Sequence, residues 1–453
     1  MQAPRPSKLN SSDHDANLPR RHQGRLCLAA VAIGIASYFI AIFLLSSISF
    51  FTQLFYFQRI SFESVSPDPH YLGIYSILVP MIGGLIVGLM AKFGSAAIRG
   101  HGIPEAMEKI LLDESKIPAR VLFLKPISSA IAIGSGGPFG AEGPIIATGG
   151  ALGSLCGQIL PLTKFERKIL LSCGAAAGMT AIFGTPLAAV LLAIELLLFE
   201  FRAQSFIPVA LSAVVAAVMR STFLTTEPFF EMPTMAAVSL AQLPIYLLSG
   251  IAFGLLSIFI TKSVYLIEDL FDRLPIHWMW WPMLGGIGIG VIGLIEPKSL
   301  GVGYSNIGAG LAGNIPVAVA LALGFWKFCS WVIALSSGTS GGTLAPLLTF
   351  GALSGYAFGV ACNAIPGVNI DVHVTALIGM AAVFAGCSRA LFASVIFALE
   401  TTQQPLGIVP LLGACAVSYL VSHWFMKTSI MTEKIVRRGV RVPTDYFPLR
   451  SQD

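Results

Sequence analysis

Apolar residues in this chain come in long blocks. The first block, "LCLAAVAIGIASYFIAIFLLSSISFF" (Leu26–Phe51), holds no charge and is long enough to cross bilayer hydrocarbon as a helix. Polar residues 1–25 precede it. It is too long for the apolar part of a signal peptide and lacks a convincing small-residue cleavage site, so it reads as a retained helix. Further apolar runs continue to about residue 426, many of them shorter than a full span or broken by Gly and Pro. The pattern predicts an all-α membrane protein with interrupted helices. Its 46 glycines and 27 prolines are tolerable at membrane depth where protein or water satisfies the freed backbone groups.

Composition strengthens this reading. Hydrophobic residues make up 55% and charged residues 11% of the 453, against roughly 25% charged in an ordinary soluble domain; mean hydropathy is +0.79. The net charge of +5 is no nucleic-acid signature, because the basic residues gather at the two ends: Arg5, Lys8, Arg20, Arg21 and Arg25, then Lys427, Lys434, Arg437, Arg438 and Arg441. Positive segments flanking membrane helices stay cytoplasmic, so both termini are expected inside, in a plasma (inner) membrane. The seven cysteines (Cys27, Cys156, Cys173, Cys329, Cys362, Cys387, Cys415) form no CxxC pair or metal spacing. They read as buried free thiols, and no metal or cofactor is expected.

Sliding the chain against itself by about 202 residues aligns its glycines and prolines. "PMIGGLIVGL" (80–89) meets "PMLGGIGIGV" (282–291). "RGHGI" (99–103) meets "LGVGY" (300–304). Lys125, Gly140 and Pro144 fall over Lys327, Gly342 and Pro346. A shift of 205 overlays 173–195 on 378–400, ending in Glu195 over Glu400. The expected organisation is an N-terminal tail (1–25), two related membrane halves (26–233 and 234–432) and a C-terminal tail (433–453). Duplicated halves with broken helices are a transporter pattern, with the substrate site between them. An odd number of crossings per half would invert the repeats.

Three Gly-rich turns precede apolar helical runs: "GHGIPEAM" (100–107), "GAEGPII" (140–146) and "GGTLAPLL" (341–348). Pro follows the glycine closely in each, as at a helix start. Helix N-termini present unpaired N–H groups and about half a positive charge. Glycine lets that backbone approach a ligand. Several such ends meeting inside the membrane would hold a small anion without full cationic charges, which suits an ion that must also leave. An acid at membrane depth costs about 2.5–3.5 kcal/mol on insertion scales and is functional by default. Glu142 therefore reads as a tethered competitor for the anion: ionised it closes the path, protonated or swung out it clears it. The bland alternative is a helix-capping glutamate.

These motifs resemble those of the CLC family of chloride channels and proton-coupled chloride exchangers, from about residue 26 to residue 432. "GHGIP" (100–104) resembles the family's GSGIP. "GAEGP" (140–144) resembles GREGP, whose glutamate is the external gate and proton acceptor. "GGTLAP" (341–346) resembles GxFxP, whose backbone binds chloride. The spacing from Lys125 to Glu142 also suits the family. The resemblance implies inverted repeats, helices of unequal length and a homodimer with one anion path per subunit. It makes Glu142 the gate and places the anion among His101, Gly102, Ile103, Gly143, Thr343, Leu344 and Met431, with the bilayer as the other partner and no nucleic acid.

The departures from the family pattern shape the expectation. The family's central serine is His101 here, the phenylalanine of GxFxP is Leu344, and the inner tyrosine aligns with Met431. The internal proton-relay glutamate of exchangers falls at Leu196, which cannot carry a proton. On that ground a passive, glutamate-gated channel is favoured, with a chloride/proton antiporter as the alternative. Met431 offers a flexible thioether in place of a hydroxyl, fitting a leaky inner gate or a steric plug. His101 can donate a ring N–H to the anion, and its ordinary pKa of about 6.5 would make conduction sensitive to pH; the alternative is a ring turned away to a backbone carbonyl. Glu195 and Glu400 read as water-facing helix ends. Lys125 either adds positive potential along the path or snorkels. The intact Pro144 argues mildly against the fluoride-exporting branch. No nucleotide-binding module is expected after the membrane body. An intramembrane enzyme is disfavoured, since no HExxH, GxSxG or paired catalytic Asp is recognised, and a non-transporting scaffold would not need three anion-cradling turns.

Overall fold

A computed structural model describes residues 20–443. Residues 1–19, with Arg5 and Lys8, and residues 444–453 of the predicted tails lie outside the described residues. The chain runs through α1 (Arg20–Thr52), α2 (Leu78–Phe93), α3 (Ile103–Leu112), α4 (Ala119–Gly134), α5 (Glu142–Ile159), α6 (Lys164–Phe183), α7 (Pro186–Ala193) and α8 (Ala203–Phe223). The second series is α9 (Leu243–Asp272), α10 (Trp281–Ile295), α11 (Tyr304–Ala312), α12 (Val317–Ser336), α13 (Leu344–Asn363), α14 (Val372–Ser388), α15 (Leu391–Thr402) and α16 (Ile408–Phe425), followed by α17 (Glu433–Arg437). Among the described residues, eight helical segments are long and apolar enough to cross a membrane. Others, such as α7 with 8 residues and α11 with 9, are too short to do so alone.

Glycines set how closely the helices pack. A Cβ on Gly149 (α5) would sit 2.1 Å from the Gly174 carbonyl oxygen (α6), and one on Gly174 would sit 1.9 Å from that of Gly149. Gly351 and Gly379 repeat the arrangement between α13 and α14, at 2.3 Å each way. With little side-chain hydrophobic drive inside lipid, such backbone approach is what holds membrane helices together. Between the halves, Gly84 of α2 packs on the Pro282 carbonyl of α10, and Gly286 of α10 packs on the Pro80 carbonyl of α2. That reciprocal register makes these two repeat-related helices antiparallel.

The repeat-related α7 and α15 meet in the same antiparallel way. The Glu195 carboxylate, in the π-helical turn Ile194–Leu198 after α7, accepts the Phe392 and Ala393 N–H groups at 3.0 and 2.9 Å, at the start of α15. Glu400, near the end of α15, accepts the Leu187 and Ala188 N–H groups at 3.1 and 2.8 Å, at the start of α7. Each helix therefore has its N-terminus capped by the glutamate at the other's C-terminal end. These acids are not the water-facing ends expected from sequence; an exposed donor set at the partner helix draws them inward.

Two boundaries differ from expectation. The first helix is described from Arg20, ahead of the apolar block: "RRHQGR" is helical, and His22 reaches Glu166 at 2.8 Å. The C-terminal segment is helical over Glu433–Arg437 and docks on α3 and α9: Arg438 pairs with Glu108, Arg437 with Asp269, and Lys434 with Glu268 at 3.7 Å. Lys164 pairs with Glu114 just beyond α3, and Arg167 donates to the Glu114 carbonyl. The start of α1, the start of α6, the end of α3 and α17 thus share one face of the molecule. The connection between the two series, residues 224–242, is stitched to the end of α15: Phe230 donates to the Thr401 carbonyl at 2.9 Å and Met235 to the Gln404 amide oxygen at 3.1 Å.

Candidate functional site

Three helices begin at the Gly-rich turns: α3 at Ile103, α5 at Glu142 and α13 at Leu344. The turns meet. The Gly140 and Gly342 backbones exchange N–H···O=C bonds at 3.4 and 3.1 Å, and the Gly341 N–H donates to the Gly100 carbonyl at 3.4 Å. Two glycines are obligatory for this approach. Gly102 has φ +95°, and a Cβ there would lie 2.1 Å from the Gly143 carbonyl; a Cβ on Gly143 would lie 1.9 Å from the His101 carbonyl. The Ser128 and Ser129 hydroxyls of α4 hold the third turn through Ser340, at 3.2 and 2.8 Å. Contrary to the expectation from sequence, the run "GTSGG" (338–342) does have the GxSxG spacing of a hydrolase nucleophile motif. Ser340 meets two serines there and no base, so it is built as a structural hydroxyl.

Glu142 is completely buried at the first position of α5. Its carboxylate lies back over Gly140, where a Cβ would collide with it, and beside Gly342. Oε1 accepts the Tyr304 hydroxyl at 3.2 Å. The backbone N–H of Ala345, in the first turn of α13, is directed at the same carboxylate. Oε2 has no partner at ordinary hydrogen-bond geometry among the described residues. The acid therefore reaches from its own helix end to that of α13 and is only partly satisfied there, as a movable group should be. The carboxylate also keeps its own backbone N–H at the start of α5, so it bridges the N-termini of α5 and α13.

Tyr304 is the residue that sequence reasoning missed. It begins α11 and is ringed by Phe183, Phe229 and Phe230, with centroids 5.9, 5.1 and 6.2 Å away. The repeat overlay already put it over Ile103, the first residue of α3, and that was the available signal.

His101 is buried, and its Nδ1 has no hydrogen-bond partner among the described residues. The ring has not turned to a backbone carbonyl through that atom. Gly102 and Ile103 cap and begin α3, where the Glu105 carboxylate takes the Gly102 N–H at 2.7 Å. Thr343 and Leu344 are buried at the start of α13, and the Thr343 hydroxyl has no partner among the described residues. Met431 is buried in the loop between α16 and α17, which is fixed by the Tyr265 hydroxyl on the Ile430 carbonyl at 2.8 Å. Leu196 is buried in the turn after α7, which packs on α3.

Lys125 is corrected. It does not snorkel: its buried ammonium donates to the Ile98 and Gly100 carbonyls at 2.8 and 2.9 Å. Lys327, its repeat mate, does the same to Ser299 and Gly301 at 3.0 and 2.6 Å. One lysine thus staples the turn before α3, and the other staples the turn before α11 and Tyr304.

A family model described as voltage gated chloride channel matches residues 82–423. The H(+)/Cl(−) exchange transporter ClcA of Salmonella paratyphi B is 32% identical over 362 residues, which is 78% of this chain and 75% of that protein. The protein of that name from Salmonella newport matches equally. A solved structure of a slow cyanobacterial Cl−/H+ antiporter superposes with a TM-score of 0.82 at 23% identity, over 93% of this chain and 98% of that one. A CLC-type fluoride/proton antiporter gives 0.73 at 21%, over 92% and 98%. At these identities the superpositions establish the fold.

The preference for a passive channel is overturned by these relatives, which are named as exchangers or antiporters. It rested on Leu196 alone, and a proton route does not require its acid at one fixed position. By sequence and by fold, the chain belongs to the voltage-gated chloride channel family, all-α membrane transport proteins rather than enzymes.

Proposed function

We propose that the protein exchanges chloride or a similar small anion for protons across the membrane. The observation that carries this reading is the Glu142 carboxylate, fully buried where three glycine turns meet and directed at the N-terminus of α13. In that position a carboxylate and a halide compete for the same N–H groups. Proton uptake neutralises the acid and releases the berth, so one group couples the two fluxes. The anion is held by backbone at Gly102, Ile103, Gly143, Thr343 and Leu344, with His101 beside them and Met431 closing the inner side. The named exchange activity of the 32%-identical relatives supports the proton leg.

The two membrane halves, 26–233 and 234–432, contribute jointly: the first two turns come from one and the third from the other. The basic residues on the shared α1–α17 face support a cytoplasmic location for both termini, in a plasma (inner) membrane. The homodimer rests on the family resemblance and is tested by mass measurement in detergent. The deciding experiment is reconstitution into liposomes with chloride and pH recorded together. Under an imposed chloride gradient, exchange drives protons uphill; chloride flux with no proton movement would refute it.

A further inference from the structure

If protons are exchanged, they need a way from the inner face to Glu142, and Leu196 provides none. We propose that Glu105 and His101 form that way, the first taking protons from the inner side and the second passing them on; this inference rests on the exchange reading.

The turn that holds Leu196 packs on α3, the helix that carries Glu105 in its first turn. Other acids near the inner face are committed elsewhere. Glu195 caps α15, Glu108 pairs with Arg438, Glu166 is held by Thr163 and His22, and Glu200 is held by Ser205 and Lys168. Glu105 is only partly buried. One of its oxygens holds the Gly102 N–H and the other lies against Gly100, so it sits directly beneath the first glycine turn. His101 stands between those two glycines with its buried Nδ1 unpartnered, and its carbonyl abuts Gly143, next to Glu142.

The charged and titratable groups around this pair come from every neighbouring element. They are Lys125 on α4, Lys434 on α17, Tyr265 and Glu268 on α9, and Arg99 before α3. Lys434 and Glu268 are themselves partly exposed. They extend the set to the aqueous inner face.

The transfer balances. A protonated Glu105 gives its proton to one ring nitrogen of His101 and becomes a carboxylate. The ring releases the proton on its other nitrogen to water in the pathway, and that proton neutralises the Glu142 carboxylate. Glu105 is then reprotonated from the inner solution, and the imidazole returns by tautomer exchange. An imidazole is suited to this because its two nitrogens can receive and donate at once.

Glu105→Gln tests the idea without removing the cap, because the amide oxygen still accepts the Gly102 N–H. In liposomes, protons moved per chloride should fall about a hundredfold or more, the range for loss of a positioned acid. Glu105→Asp should restore much of the ratio. A wild-type ratio in Glu105→Gln would overturn the proposal. So would parallel losses of both fluxes at constant ratio, which would mark a structural role. Absence of coupled protons in the unmodified protein would instead bring down the exchange reading, and this inference with it.

Discussion

In the proposed exchange, the gate at Glu142 turns on a competition with the anion and on the Tyr304 hydroxyl that holds Oε1. Glu142→Gln fixes a neutral side chain at the berth, so proton coupling should vanish and chloride flux at neutral pH should rise; unchanged coupling in a dual-electrode liposome assay would remove the acid from the mechanism. Tyr304→Phe removes the side-chain donor on Oε1. A hydrogen bond to a charged group contributes roughly 1.5–3 kcal/mol. The freed carboxylate should leave more readily, raising chloride flux at neutral pH several-fold. The acid was legible because it stands in "GAEGP", isolated among glycines. Its donor was not, because Tyr304 lies 162 residues away and only the folded packing of the halves brings the two together. Lys125 was legible as a residue and misread as to role: burial was inferable from its apolar surroundings, but not the two carbonyls it would find.

The short helices α7 and α15 are fixed by each other. Removing a cap costs about 0.5–2 kcal/mol, and here each carboxylate holds two N–H groups. Glu195→Ala and Glu400→Ala should each lower the melting temperature in detergent by comparable amounts; indifference to either would mean the helix ends are solvated. The overlay of Glu195 on Glu400 was visible in the sequence. That each caps the other's helix depends on the antiparallel placement of the repeats, which the linear order does not reveal. Lys327→Met offers a second test at this scale. Without its ammonium the Ser299 and Gly301 carbonyls lose their donor, the turn before α11 shifts, and chloride flux should change in the direction of Tyr304→Phe. A wild-type flux would show that the staple does not position the tyrosine.

Across the whole molecule, the contacts from His22 through Glu166, Glu114 and Glu108 to Arg438 put both described ends on one face. Cysteines introduced at Gly24 and Arg441, in a background stripped of reactive thiols, should both label with an impermeant reagent from the cytoplasmic side alone; labelling from opposite sides would contradict the fold. Hydropathy made the membrane body readable, and the aligned glycines and prolines its duplication and a site between the halves. Neither revealed the reciprocal contacts of Gly140 with Gly342 that join the turns. The connection between those halves, residues 224–242, is pinned at Phe230 and Met235 to the far end of α15. A chain severed just beyond that seam would keep its first fragment docked on the second. The protein could then be made as two polypeptides that are each inert and become conductive when co-expressed.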